Sequence, residues 1–342
     1  MSNIKLSLAC GNYDHTRALM EQKISPEGID LIPIILNPGE IFWRMLQYNE
    51  FDASEMSLSN TITERCKQNP RFIAIPVFPS KIYRHSYIFI NKKSGIKTPK
   101  DLKGKKVGLP EYTMTATVWQ RGDLEHYYGV APSDIEWYMG GKEGYGRLGR
   151  MEVELPKSLH MHIVPKEHGL SDLLAKGEID ALLDATIPAS YEANHPDVDR
   201  LWPNYKEVEI AYFKKTKIFH IMHTVVIKRE IYETHPWVAR SLYKAFSEAK
   251  KICQDYIQSH SGNIAYTLPW TRAEYESTVD VMGKDFWPYG VEANKPTLDA
   301  LTTYHFEQGL SDHKVSPDEI FAASTLDERG SYAQHSKTQV DK

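Results

Sequence analysis

The chain has 342 residues, of which 41% are hydrophobic and 25% charged, with 41 Lys and Arg against 45 Asp and Glu for a formal charge of −4. That length suggests about two domains. The charge balance gives no footprint for nucleic acid, and no block of like charge marks a membrane patch.

The opening MSNIKLSLACGNYDH has no basic segment ahead of a long apolar core, so it does not read as a signal peptide, and LAC at 8–10 lacks the upstream segment of a lipoprotein box. No apolar run approaches the roughly 18 residues of a membrane span. Cys10, Cys66 and Cys253 are odd in number, far apart and in no CxxC spacing. They argue against a disulfide framework or a zinc site and fit a reducing compartment, so a cytoplasmic location is expected.

In chain order, IKLSLACG (4–11) reads as a buried strand ending at Gly11, and NYDHTRALMEQ turns into a helix. IDLIPIIL (29–36) is a second strand. NPGEIFWRMLQYNE carries helix-start chemistry, with Asn37 as cap, Pro38 first in the helix and Glu40 three residues after the cap. FDASEMSLSN is a short strand with a polar end. Strand alternating with helix implies a parallel α/β sheet. KIYRHSYIFINKK (81–93) reads as a longer strand leaving this unit for a second one. There KKVGLP precedes a helix from about Thr115 to Gly129, then DIEWYMGG, a helix around LSDLLAKG, and IDALLDA. KIFHIMHTVVIKRE (217–230) reads as a returning strand. A helix from about 236 to 257 shows Val238, Leu242, Ala245, Phe246, Ala249 and Ile252 at helical spacing. The expected domains are 1–92 with 216–325, and an inserted 93–215. They are joined by two crossing strands with the ligand cleft between them, and a disordered tail covers 326–342. Ligands of open α/β sheets bind beyond the carboxyl ends of the strands.

This layout resembles the two-domain type II periplasmic-binding-protein fold. FDASEMSLSN, YRHSYIFIN, LPEYTMTATVWQRG, IMHTVVIKREIYETHPWVARSLYKAF and DFWPYGVEANKPTLDAL resemble the 4,5-dihydroxyphthalate decarboxylases over roughly residues 4–325. DLKGKKVG is shared across the fold and says little about function, whereas EMSLSN, RHS and MHTVV are more specific. KSLHMHIVPKEHG (157–169) is richer in His than the family leads one to expect. The resemblance implies an enzyme that removes one carboxylate from a dihydroxylated phthalate to leave protocatechuate.

Such a reaction needs a base for the phenol para to the leaving carboxylate, an acid for the ring carbon, and cations for the carboxylates. It requires no redox cofactor or electron sink, so no cofactor is expected, and no metal ligand is assigned. Asp14 beside His15 can raise an imidazole pKa, with Arg17 one helical step on; a capping Asp with a solvated His is the plainer alternative. Glu55, Ser57 and Ser59 stand at period two and so share a face. There Glu55 can orient a His or accept a catechol proton. Arg84 and His85, as strand neighbours, point to opposite faces, so only one is expected at the ligand. Arg84 suits a carboxylate, while His85 rests on the resemblance alone. Thr113 and Thr115 open a helix and suit either a carboxylate or simple capping. The loop GGKEGYGRLGR (140–150) lacks a dinucleotide fingerprint, and its Arg147 is a candidate clamp for the second carboxylate. His220 and His223 cannot share a strand face. His223 is favoured because MHTVV carries the resemblance. His160 and His162 do share one, a weak metal signal.

The expected partner is a small aromatic dicarboxylate, with no nucleic acid and no membrane; a homo-oligomer stays open. The main rival is a non-catalytic solute-binding or sensing protein of the same fold. The thiamine pyrimidine synthases share the fold but use a Cys-rich motif that is not present in this sequence. A decarboxylase for a different hydroxylation pattern is the third alternative.

Overall fold

The computed structural model describes residues 3–143, 151, 153–259 and 267–327. The chain divides into two compact units. The first comprises Met1–Lys81, His223–Leu298 and Ser316–Lys342, the second Ile82–Met222 and Asp299–Val315.

The first unit holds β1 (Ile4–Cys10), β2 (Ile29–Ile35), β3 (Ala53–Ser57) and β4 (Phe72–Ile75). The second holds β5 (Ile88–Asn91), β6 (Lys106–Leu109), β7 (Glu136–Met139), β8 (His160–Ile163), β9 (Ala181–Leu183) and β10 (Val198–Arg200). The chain then returns to the first unit as β11 (His223–Lys228).

The first sheet runs β2-β1-β3-β11-β4. β1 is parallel to β2 and β3, and β11 is antiparallel to both β3 and β4. Pro33 lies in β2, an edge strand, where a missing N–H leaves no ladder bond unmade. The helix Pro38–Tyr48 starts as its sequence dictates. The Gly39 N–H donates to the Asn37 side chain at 2.9 Å, and Ile41, Phe42, Met45 and Leu46 are buried. The helix Trp237–Ser259 buries Val238, Leu242, Ala245, Phe246 and Ala249, whereas Ile252, expected on the same face, is largely exposed. Lys250 and Gln254 take the buried positions there.

The second sheet runs β10-β5-β9-β6-β7-β8, with β6 parallel to β7 and β9, and β5 antiparallel to β9 and β10. Its core gathers Phe89, Leu170, Leu174, Ile179 and Leu182. The helix Thr115–Tyr128 follows β6 and stops at Gly129, whose φ of 69° is left-handed. Within it Gly122 lets the Tyr304 ring approach so closely that a Cβ would lie 2.0 Å from it.

Three expectations change. The stretch 81–93 is not one strand: a 3-10 turn at His85–Tyr87 precedes the four residues of β5, which pair inside the second sheet. The Ser86 N–H donates to the buried Glu209 carboxylate, which fixes the turn. Residues 82–92 and 216–222 therefore belong to the second unit, which also takes in Asp299–Val315. The returning strand is only the six residues of β11, so His220 precedes it. Of the expected disordered tail, residues 328–342 lie outside the described residues.

Candidate active site

In the first unit the site grows out of the register of β3 and β11. Val225 pairs with Glu55 and His223 with Ser57, so Glu55 and His223 are diagonal neighbours on one face. Diagonal partners are about 7–8 Å apart at the backbone, within reach of long side chains. Here His223 Nδ1 lies 2.5 Å from Glu55 Oε1. The same oxygen accepts the Tyr13 hydroxyl at 2.6 Å, and Oε2 accepts the Gly11 N–H at 2.8 Å, with the Cys10 thiol at 3.8 Å.

Glu55 is fully buried. Burial alone pushes its carboxyl up, but the His223 ring and the hydrogen bonds from His223, Tyr13 and Gly11 outweigh that and hold it below the ordinary carboxylate range. A buried carboxylate with three good donors is a stable anion. It cannot easily act as the proton donor, and its physical effect is to fix His223 through Nδ1. The other ring nitrogen, Nε2, is left for proton exchange on a side chain that is 19% exposed. The Phe42 ring meets the imidazole edge-on at 4.8 Å between centroids.

His15 lies on a 3-10 turn just past β1 and is buried. Its Nδ1 is 3.1 Å from Asp14 Oδ1, and hydrogen bonding to His15 lowers the Asp14 pKa. Its Nε2 is buried with no hydrogen-bond partner among the described residues. Aromatic rings surround it: Trp287 at 5.0 Å, Tyr13 at 5.6 Å and Tyr289 at 6.4 Å. Arg17 stands apart. Its side chain is 55% exposed and 4.0 Å from Glu21, a solvated i,i+4 pair. Ser57 caps the helix Leu58–Arg65, accepting from the Asn60 N–H at 3.4 Å. β3 ends at Ser57, so the period-two argument fails for Ser59, which is buried inside that helix.

The second unit, described by itself, holds Arg84. Arg84 is buried. Its Nη1 donates to the Ala185 carbonyl at 2.9 Å, Nε faces Met222 Sδ, and the guanidinium sits 5.0 Å from the Tyr87 ring centroid. Burial brings its pKa down to about 10, against the through-space pull of Tyr87, Asp184 and Glu209, so it stays charged at neutral pH. Among the described residues no carboxylate forms an ion pair with it, and a buried guanidinium so placed suits a bound carboxylate.

His85, its neighbour, turns into the unit instead. It packs between Trp202 and Tyr212, and neither ring nitrogen has a hydrogen-bond partner among the described residues. Burial lowers its pKa to about 4. The cavity beside it, lined by Arg84, Gln120, Asp123, Tyr128 and Trp202 among others, measures about 10 Å³. That is room for one water, not an aromatic di-acid. His85 therefore faces the interior of the second unit, beside a cavity too small for such a ligand.

Thr113 is buried and donates to Glu111 Oε1 at 2.7 Å, so it does not cap the helix that Thr115 opens; that helix has no side-chain cap. His220, fully buried, pairs with Asp123 at 2.9 Å. His160 is exposed, and His162 pairs with Glu136 across β7 and β8. Arg147 lies outside the described residues.

Tyr13, Trp287 and Tyr289 were not singled out from sequence. The available signals were the place of Tyr13 two residues past the glycine that follows β1, and the place of Trp287 and Tyr289 within DFWPYGVEANKPTLDAL.

Both units are open sheets in which parallel strands are joined by helices, and this is the type II periplasmic-binding-protein-like fold. A periplasmic sulfonate-binding protein SsuA from Methylobacillus flagellatus superposes with a TM-score of 0.54 at 17% identity, over 94% of this chain and 92% of that one. The aliphatic sulphonate-binding SsuA of Escherichia coli gives 0.52 at 14% identity, over 96% and 100%. The family model described as NMT1/THI5 like matches residues 81–143. In sequence, a 4,5-dihydroxyphthalate decarboxylase of Comamonas testosteroni is 35% identical over 327 residues, covering 96% of this chain and 99% of the relative. Another, of Pseudomonas putida, is 38% identical over 202 residues, covering 59% and 78%. The chain belongs to the 4,5-dihydroxyphthalate decarboxylase family, a family of carboxy-lyases. No helix among the described residues is long and apolar enough to cross a membrane.

Proposed function

We propose that this chain decarboxylates 4,5-dihydroxyphthalate, or a close hydroxylated aromatic di-acid, to protocatechuate and CO₂ without change of oxidation state. The observation that carries the reading is the His223–Glu55 pair: a buried, fully hydrogen-bonded carboxylate holding one ring nitrogen and freeing the other.

In this reading His223 Nε2 takes the proton of the phenol para to the leaving carboxylate. The imidazolium that forms is stabilised by Glu55, as a carboxylate stabilises the histidine of a hydrolase triad. The phenolate pushes electron density to the ring carbon bearing the carboxylate, and His15 Nε2 delivers a proton to that carbon. The carbon–carboxylate bond then breaks, its electron pair returns to the ring, CO₂ leaves, and the phenolate recovers the proton held by His223. One proton is consumed overall. The aromatic surround of His15 keeps water from the acid. Arg84 is assigned to a substrate carboxylate, its Nη1 and Nε fixed by Ala185 and Met222. Arg147 and Thr115 remain candidates for the second carboxylate. No cofactor or metal enters the scheme, and the free cysteines fit a cytoplasmic setting.

The test is incubation with a panel of hydroxylated phthalates and benzoates, reading CO₂ and products by mass. Conversion of 4,5-dihydroxyphthalate to protocatechuate is expected. Tight binding of the di-acids with no product would instead mark a solute-binding or sensing protein.

A further inference from the structure

The two candidate proton-handling histidines are linked by one side chain. Tyr13 packs its ring against His15, 5.6 Å between centroids at 36°, and its hydroxyl donates at 2.6 Å to Glu55 Oε1. His223 Nδ1 meets that same oxygen. The Ser80 side chain lowers the pKa of the Tyr13 phenol against the rise that burial imposes, and so favours it as a donor. The Ser80 carbonyl also accepts the His223 N–H at 3.2 Å. Tyr13 is therefore tied to both the side-chain and the main-chain anchoring of His223.

We propose that Tyr13 is a positioning residue for the decarboxylation: its hydroxyl competes with His223 for Glu55 Oε1 and so sets how strongly the carboxylate holds the imidazole, while its ring fixes the orientation of His15. This rests on the proposed roles of His15 and His223. A carboxylate oxygen shared by two donors is a weaker acceptor for each than one serving a single donor. Removing the phenol leaves Glu55 more basic and its hold on the His223 ring stronger. The imidazolium would then form more readily but return its proton less readily.

The titratable groups facing Glu55 are Cys10, Tyr13 and His223. Burial, reinforced by the Glu55 charge, pushes the Cys10 thiol and the Tyr13 phenol up. Both stay protonated through neutral pH, so the response to pH belongs to the Glu55–His223 pair. Phe42, on the other side of the imidazole, carries no charge.

The decisive variant is Tyr13→Phe, which keeps the ring against His15 and removes only the hydroxyl. By proton NMR of ¹⁵N-histidine-labelled protein, the His223 Nδ1–H resonance is expected to move downfield. The acid limb of the pH–rate profile should move to higher pH, and kcat should fall about 10- to 100-fold, the loss of one hydrogen bond to a charged group, with KM within about twofold. Ser80→Ala, which leaves Tyr13 in place, should shift the resonance and the limb the same way by less. It gives a second reading should Tyr13→Phe fold poorly. The NMR shift needs no turnover, so it tests the Tyr13–Glu55–His223 linkage even if the decarboxylase reading fails. Folded variants with the wild-type resonance and pH profile would overturn the proposal.

Discussion

Glu55 and His223 are separated by 168 residues of chain, yet Oε1 and Nδ1 lie 2.5 Å apart because β3 and β11 are antiparallel partners in one sheet. The carboxylate has no access to solvent, and every hydrogen bond it makes supports the anion. Glu55→Gln keeps the shape and removes the charge. With one amide donor now facing the ring, the imidazole loses its fixed orientation. A fall in kcat of about 10²–10⁴ with little change in KM is expected; steady-state kinetics at saturating substrate checks it.

The same pair predicts a pH dependence of stability. The Glu55 carboxyl is held below its unfolded value. Its stabilisation is therefore present above the unfolded range, about 4.3, and is lost as pH falls through the folded value. Chemical denaturation of wild type and Glu55→Gln from pH 3 to 7 should show a shallower acid limb in the variant. Parallel curves would mean that the pair contributes no linkage.

His15 and His223 are separated by their variants. Each to Gln should leave di-acid affinity near normal by calorimetry while kcat falls by about 10²–10⁴. If chemistry limits turnover, the solvent isotope effect on kcat should change most in His15→Gln, the variant lacking the acid for ring carbon. Wild-type kcat in His15→Gln would remove it from the mechanism.

Arg84→Lys keeps a charge but loses the planar fork, and Arg84→Ala loses both. Substrate binding should weaken in the order wild type, Lys, Ala, by about 1.5–3 kcal/mol per charged hydrogen bond lost. Calorimetric titration with the di-acid, next to a thermal melt for each variant, separates lost contact from lost fold.

Asp184 in the second unit gives a test with the opposite sign. Burial raises its carboxyl to about 6, despite Lys142, the Thr186 and Ala185 N–H groups and Arg84. Its folded value lies above the unfolded value of about 3.9, so the native state is relatively favoured as pH falls through 6 and penalised above it. Asp184→Asn keeps an oxygen for the Ala185 and Thr186 N–H groups. It should stabilise the protein at pH 8 by on the order of 3 kcal/mol and have little effect at pH 4. Denaturant titrations at the two pH values decide it.

Local chemistry made much of this legible from the chain. Asn37 and Pro38 announced their helix, and the strand–helix alternation announced the parallel pairing of β1 with β2 and β3 and of β6 with β7, though not the antiparallel β5 and β11 that make both sheets mixed, because caps and hydrophobic period are local signals. The turn at His85 was hidden by the β-rich YIFI beside it, because what ends the strand there is Glu209, a carboxylate distant in sequence. Glu55, His15 and His223 could each be named as strand-end polar residues. That Glu55 belongs to His223 depends on a register between strands far apart in the chain. Tyr13 escaped notice because a tyrosine after a strand reads equally as core.

The first unit is assembled from three separate stretches of chain, and β11, which completes its sheet between β3 and β4, is made only after the whole of Ile82–Met222. During synthesis β3 must wait with one edge unpaired, an open template for wrong partners. Glu55 waits as well, a carboxylate destined for burial without its imidazole. The pair thus serves as a proof of completion: a chain that stops before His223 has neither a complete sheet nor the Glu55–His223 hydrogen bond. Abortive products should be inert and aggregation-prone, not partly active.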